Sequence, residues 1–156
     1  MSIVAYGLNH RTASVELRER IAFPEENLSD MLSRLTHDLS NIREAAIVST
    51  CNRTELYCSL SNDNTHDISR WLSATRPVDI TELEDSSYKH WDKDAARHMI
   101  RVAAGLDSQM LGEPQIMGQV KMAYEVARKT GTIGPDLDLL SRMTLRTAKD
   151  IRTQTE

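Results

Sequence analysis

Two strand-like runs, Ala45 to Thr50 and Thr54 to Ser59, stand only three residues apart. A link this short reverses the chain tightly. Asn52 lies inside it, and asparagine tolerates the left-handed backbone that such a reversal uses. Ile3 to Leu8 reads as a further strand and "SSYKHW" as a fourth. Between them Ser14 can cap a helix, "VELRERIAF", which Pro24 interrupts. From about Glu25, the residues Leu28, Met31, Leu32, Leu35 and Leu39 fall at helical spacing as one apolar stripe. Ile68, Trp71 and Leu72 give another amphipathic turn or two, closed by Pro77. Strands and helices in this order predict an α+β fold, a small and mainly antiparallel sheet covered on one face by helices.

The character changes at Asp92, a good cap for the helix "KDAARHMIRVAAGL". A second helix is expected from near Glu113-Pro114 to Lys129, because proline fits a first helical turn. Gly131 and Gly134-Pro135 break it, and a last helix runs from about Asp136 to the end. The expected organisation is a sheet lobe over 1–91, a helical-bundle lobe over 92–135, and the start of a long connecting helix over 136–156.

Bulk properties narrow the classes. At 156 residues, with 40% hydrophobic and 27% charged side chains, the chain reads as an ordinary soluble globular protein. Its apolar runs are too short for a membrane span. Met1 leads straight into a strand-like run, which leaves no room for a targeting segment. Two cysteines argue for a reducing compartment, and the cytoplasm is expected. A net charge of −4 offers no general basic field, so any nucleic acid must be held by a local patch. Aromatic residues, at 4%, are too few for base stacking on a sheet.

Two polar loops are left over. One is Thr50-Cys51-Asn52-Arg53; the other is "GLDSQMLGEPQIMGQ", with Ser108, Glu113, Gln115 and Gln119 among three glycines. On the plain account Cys51 is a small buried hydrophobe, Arg53 a surface charge and Glu113 a helix-start carboxylate. On the functional account the loops meet. Cys51 is then a nucleophile, and Arg53 raises its thiolate fraction or holds a carboxylate in its fork. Composition alone does not choose between the two.

The blocks "GLNHRTASVELRER", "STCNRTELY" and "HMIRVAAGLDSQMLGEPQIMGQVKMAYEVA" resemble the signatures of the glutamyl-tRNA reductase family, and together they run from Gly7 to about Ala127. The ending "RTAKDIRTQTE" resembles the start of that family's connecting helix. The resemblance implies the N-terminal catalytic domain of an enzyme that reduces tRNA-bound glutamate to glutamate-1-semialdehyde with NADPH, opening the five-carbon route to tetrapyrroles. It implies Cys51 as nucleophile and His98 as a residue important for activity. Thr50, Asn52, Arg53, Ser108, Glu113, Pro114, Gln115 and Gln119 match substrate-binding positions. Ser14 stands where the family usually has proline, and Cys58, outside the signature, reads as structural.

Esterified glutamate keeps only a γ-carboxylate and an α-ammonium as ionic handles. Arg53 is the expected fork for the first and Glu113 the partner for the second. Glutamine would then be discriminated against, since its neutral amide leaves a buried guanidinium without a charge partner. His98 could protonate the departing ribose hydroxyl or simply support the site. Arg142, Arg146, Lys149 and Arg152 form a stripe on the last helix that could lean on the tRNA backbone or be a solvated face. No Gly-x-Gly-x-x-Gly follows a strand, so NADPH is expected to bind a domain outside this chain. The resemblance further implies a full-length homodimer, a largely monomeric fragment, haem as a possible regulator, and glutamate-1-semialdehyde aminomutase as partner. A regulatory adaptor and a cysteine esterase are the competing classes.

Overall fold

The computed structural model describes residues 2–108 and 115–155. Four strands form one antiparallel sheet in the order β2-β3-β1-β4, with β1 at Ser2–Asn9, β2 at Ile42–Ser49, β3 at Arg53–Leu60 and β4 at Tyr88–Trp91. Among the described residues seven α-helices accompany it: α1 Val15–Ile21, α2 Leu28–Asp38, α3 His66–Thr75, α4 Ile80–Ser86, α5 Asp92–Ala103, α6 Ile116–Thr130 and α7 Pro135–Thr155.

Local chemistry accounts for most of these elements. The Ser14 hydroxyl accepts from Leu17 N at 3.2 Å and starts α1, which buries Leu17 and Ile21. The apolar stripe of α2 buries Leu28, Leu32 and Leu35. Helix α4 has no expectation in the sequence. Its single buried residue is Leu83, and what starts it is the Asp79 carboxylate, which accepts from Thr81 N and Glu82 N. Asp92 does not cap α5 as expected. It is the first residue of the helix, with φ of 49°, and its Oδ1 accepts from Ile3 N at 3.0 Å. The carboxylate serves the neighbouring strand instead of its own helix.

The sheet is covered on both faces, not one. All eight residues of β3 are buried. Tyr6, opposite Leu56 in the ladder, reaches Ser69 of α3 at 2.6 Å, which sets α3 on that face. Tyr57 points the other way, with its ring 6.3 Å from that of Tyr124 on α6. Ser59 on the same side donates to Asp136 of α7. Helices α5 to α7 therefore form a second layer against the sheet, and one contiguous apolar core includes Leu56 and Ile68 as well as Met99 and Val120. Among the described residues no helix is long and apolar enough to cross a membrane.

Candidate active site

Cys51 is exposed at the reversal between β2 and β3. Thr50 makes that reversal. Its N–H donates to Arg53 O at 2.8 Å, and its hydroxyl accepts from Asn52 N at 3.1 Å and Arg53 N at 3.3 Å. The left-handed Asn52 expected from sequence does not occur, since Asp92 is the one non-glycine of positive φ among the described residues. The threonine hydroxyl supplies the turn bonds that a left-handed residue would otherwise have enabled. Cys58, by contrast, is fully buried on β3, and burial pushes its thiol up to about 12.

Arg53 is no surface charge; its side chain is 1% exposed. Its Nη1 lies 3.1 Å from Glu55 Oε2, while Nη2 donates to Asp107 O at 2.7 Å and Asp107 Oδ2 at 3.1 Å. These bonds tie the reversal to the Gly105–Ser108 stretch, so the two polar loops do meet. They also mean that the guanidinium is already paired with two carboxylates before any substrate arrives. Burial alone would loosen its proton, but Glu55 above all holds its pKa above the ordinary value.

Glu55 is the centre of the network, and sequence reasoning missed it. Fully buried, it accepts from Tyr57 Oη at 2.5 Å and from the Tyr88 hydroxyl, and it sits 2.6 Å from His98 Nε2. Burial would raise its carboxyl, yet the His98 hydrogen bond and charge, then Arg53 and Tyr57, outweigh that and bring it down to about 2. Burial first, and the Glu55 charge second, raise both tyrosine hydroxyls, which remain protonated donors. Gly7 faces Glu55 across the ladder, and a Cβ there would come within 2.8 Å of Glu55 Cγ. The strand pairing therefore needs glycine at that position.

His98 is buried on α5, stacked on His90 at 4.4 Å and edge-on to Tyr88 at 5.3 Å. Its Nε2 is committed to Glu55. Arg18, a second residue not singled out in the sequence, donates from Nε to Cys51 O at 3.3 Å and from Nη1 to Ala13 O at 2.9 Å. It is a cation held against the peptide of Cys51. The motif block contains Arg18, but nothing in it shows that a helix residue 33 positions earlier reaches the reversal.

The remaining candidates divide between two cavities. Gln115, which is exposed, and Gln119, which is half-buried, line one of about 490 Å³ beside β2. His98, Tyr88 and Asp107 line another of about 420 Å³ toward β4, with Arg11 and Arg97 also in its wall. Ser108 is buried at the end of the described stretch, and Asn52 is half-buried in the reversal. Glu113 and Pro114 lie outside the described residues. On α7 the basic stripe splits: Arg142 pairs with Asp138 at 3.2 Å, Arg146 and Lys149 are exposed, and Arg152 turns its Nη1 toward Ala104 O. Among the described residues no cluster of His, Cys, Asp and Glu is placed to hold a metal ion.

The family described as "Glutamyl-tRNAGlu reductase, N-terminal domain" matches residues 6–155. Glutamyl-tRNA reductases of Pseudomonas aeruginosa and Pseudomonas syringae pv. tomato are 50% and 52% identical over 99% of this chain. The chain spans 36% of the length of each. The solved glutamyl-tRNA reductase from Methanopyrus kandleri superposes with a TM-score of 0.81 at 27% identity, covering 97% of this chain and 34% of that one. With the match running through the reversal, the Glu55 network and all seven helices, this chain belongs to the glutamyl-tRNAGlu reductase N-terminal domain family.

Proposed function

We propose that this chain is the catalytic domain of a glutamyl-tRNA reductase, in which Cys51 takes the glutamyl group from tRNA. The observation that carries it is an exposed thiol whose neighbouring arginine is bonded to the second motif loop. The thiolate attacks the ester carbonyl carbon, a sulfur–carbon bond forms, and the carbon–oxygen bond to the ribose breaks. The proton lost by the thiol is made good on the departing ribose oxygen. Solvent reaches Cys51 directly, so this transfer needs no buried relay.

Thr50, Asn52, Arg53, Ser108, Gln115 and Gln119 form the proposed substrate surroundings, and Glu113 and Pro114, outside the described residues, are proposed to bind substrate with them. Arg53 contributes as a fixed electrostatic wall, set by Glu55 and Asp107, more than as a free fork. His98 acts by holding Glu55 in place, because its Nε2 is already spent there.

In the whole protein NADPH would then reduce the thioester to glutamate-1-semialdehyde, the opening step of tetrapyrrole synthesis. The residues here do not fit that cofactor. Among the described residues the sheet is antiparallel throughout and no strand-turn-helix glycine loop is placed to take a pyrophosphate. The aldehyde product is reactive, which makes the aminomutase that consumes it the expected partner, and co-sedimentation of the two proteins tests that.

Mass spectrometry after mixing the chain with charged glutamyl-tRNA tests the central claim. One added glutamyl group on Cys51, absent from Cys51→Ser, is the expected result. Ester hydrolysis with no adduct on either protein would instead favour a simple esterase.

A further inference from the structure

The cavity beside β2 is flanked by strand-edge backbone groups. β2 is an edge strand, and its outward backbone groups alternate. Ala45 points outward and is satisfied: its N–H donates to Thr132 O at 2.8 Å and its carbonyl accepts the Thr132 hydroxyl at 2.9 Å. Ile47 and Ser49 point the same way, and no backbone or side-chain partner meets their outward groups among the described residues. Ile47 is nevertheless buried. Gln119 adds a buried Oε1 with no partner. Phe23, Leu28 and Met122 give the cavity an apolar wall, and Glu25 and Gln115 bring polar groups to the same lining. A buried side-chain oxygen and strand-edge groups left unpaired on the wall of a cavity call for a ligand that satisfies them.

An outward C=O at one strand residue and an outward N–H two residues on form an acceptor–donor pair in one plane. The edge of adenine carries the matching pair, with N6–H as donor and N1 as acceptor. Every tRNA ends in adenosine, and the amino acid is esterified to that nucleoside's ribose. Ser49 lies two residues before Cys51. We infer that this cavity holds the terminal adenine of the charged tRNA. Ile47 C=O and Ser49 N–H read its N6–H and N1, and Gln119 Oε1 accepts from the second N6 hydrogen. This rests on the glutamyl-tRNA reading given above and names the subsite for the leaving nucleoside. The cavity, at about 490 Å³, is within the size range of small-ligand sites.

The test compares Cys51 acylation by glutamyl-tRNAs carrying adenosine, purine riboside or inosine at the 3′ end, with a glutamyl phenyl ester alongside. Purine riboside lacks the N6 donor, and inosine reverses donor and acceptor. The expected result is a kcat/KM lower by roughly tenfold for purine riboside and by more for inosine, since buried groups are left unpaired. Gly118→Leu supplies a second arm. A Cβ at Gly118 meets nothing within 4 Å, so the side chain enters the cavity without disturbing the helix. It should raise KM for the adenosine-ended substrate while the thermal midpoint is unchanged. Equal rates for all three termini, or a Gly118→Leu variant that folds with unaltered KM, overturn the adenine subsite while leaving Cys51 chemistry intact. If no substrate acylates Cys51, the functional reading falls and the subsite with it.

Discussion

At the residue scale, one buried carboxylate explains the behaviour of its neighbours. Glu55 holds Arg53, His98 and two tyrosine hydroxyls at once. Its carboxyl in the folded chain lies below the ordinary value of 4.5, at about 2. The stabilisation linked to it is therefore complete above 4.5 and drains away as the pH falls from there toward about 2. Glu55→Gln should remove this acid-dependent component and cost roughly 3 kcal/mol at neutral pH, because Arg53 loses one of its two buried partners. Denaturant midpoints measured from pH 7 down to 2 give both quantities, and a variant with the wild-type acid profile would refute the assignment. The same pairing changes the specificity expected from sequence. Arg53 is already balanced by Glu55 and Asp107, so a neutral amide in the substrate strands no charge. tRNA charged with glutamine should acylate Cys51 within about tenfold of the glutamyl ester. A difference of a thousandfold would restore the free-fork picture.

At the element scale, the long helix α7 is started by a strand residue. Glu44 accepts from Gly134 N at 2.6 Å, Leu137 N at 2.9 Å and Asp136 N at 3.2 Å, three amides at the helix's start that have no carbonyl within the helix to bond. Because Arg43 forms a bulge between Ile42 and Glu44, the carboxylate is aimed at α7 and not into the ladder. Glu44→Ala should cost about 2 kcal/mol and speed hydrogen exchange at these three amides, with the sheet amides unaffected. Unchanged exchange there would mean that the cap carries no weight. The sequence showed where α7 begins through the Gly134-Pro135 break. It did not show Glu44, because a cap 90 residues away leaves no local trace. Helix α4 was missed for a related reason: with Leu83 alone buried, it has no apolar stripe to read.

At the scale of the whole molecule, the layer formed by α5 to α7 decides the site. It presses His98 onto Glu55 and brings Asp107 to Arg53. Leu139 and Met143 are the large apolar side chains left exposed on α7. Two such residues one turn apart are too small a patch for a stable interface, so sedimentation at micromolar concentration should find this chain monomeric, and a tight dimer would contradict that. The strands, the α1 cap, the α2 stripe and the Cys51 reversal were legible from the sequence because each depends on residues within a turn or two of one another. The second covered face was not. The order of strands and helices gave a one-sided sheet, and Arg53, Glu55 and Ser59, alternating along β3 as a solvent-facing set would, carry no sign of the second layer. Local spacing says which way a side chain points but not what lies opposite it. Only the tertiary structure supplied the partners that make burying those charges favourable, and with them the reason Arg53 is fixed in place beside an open thiol.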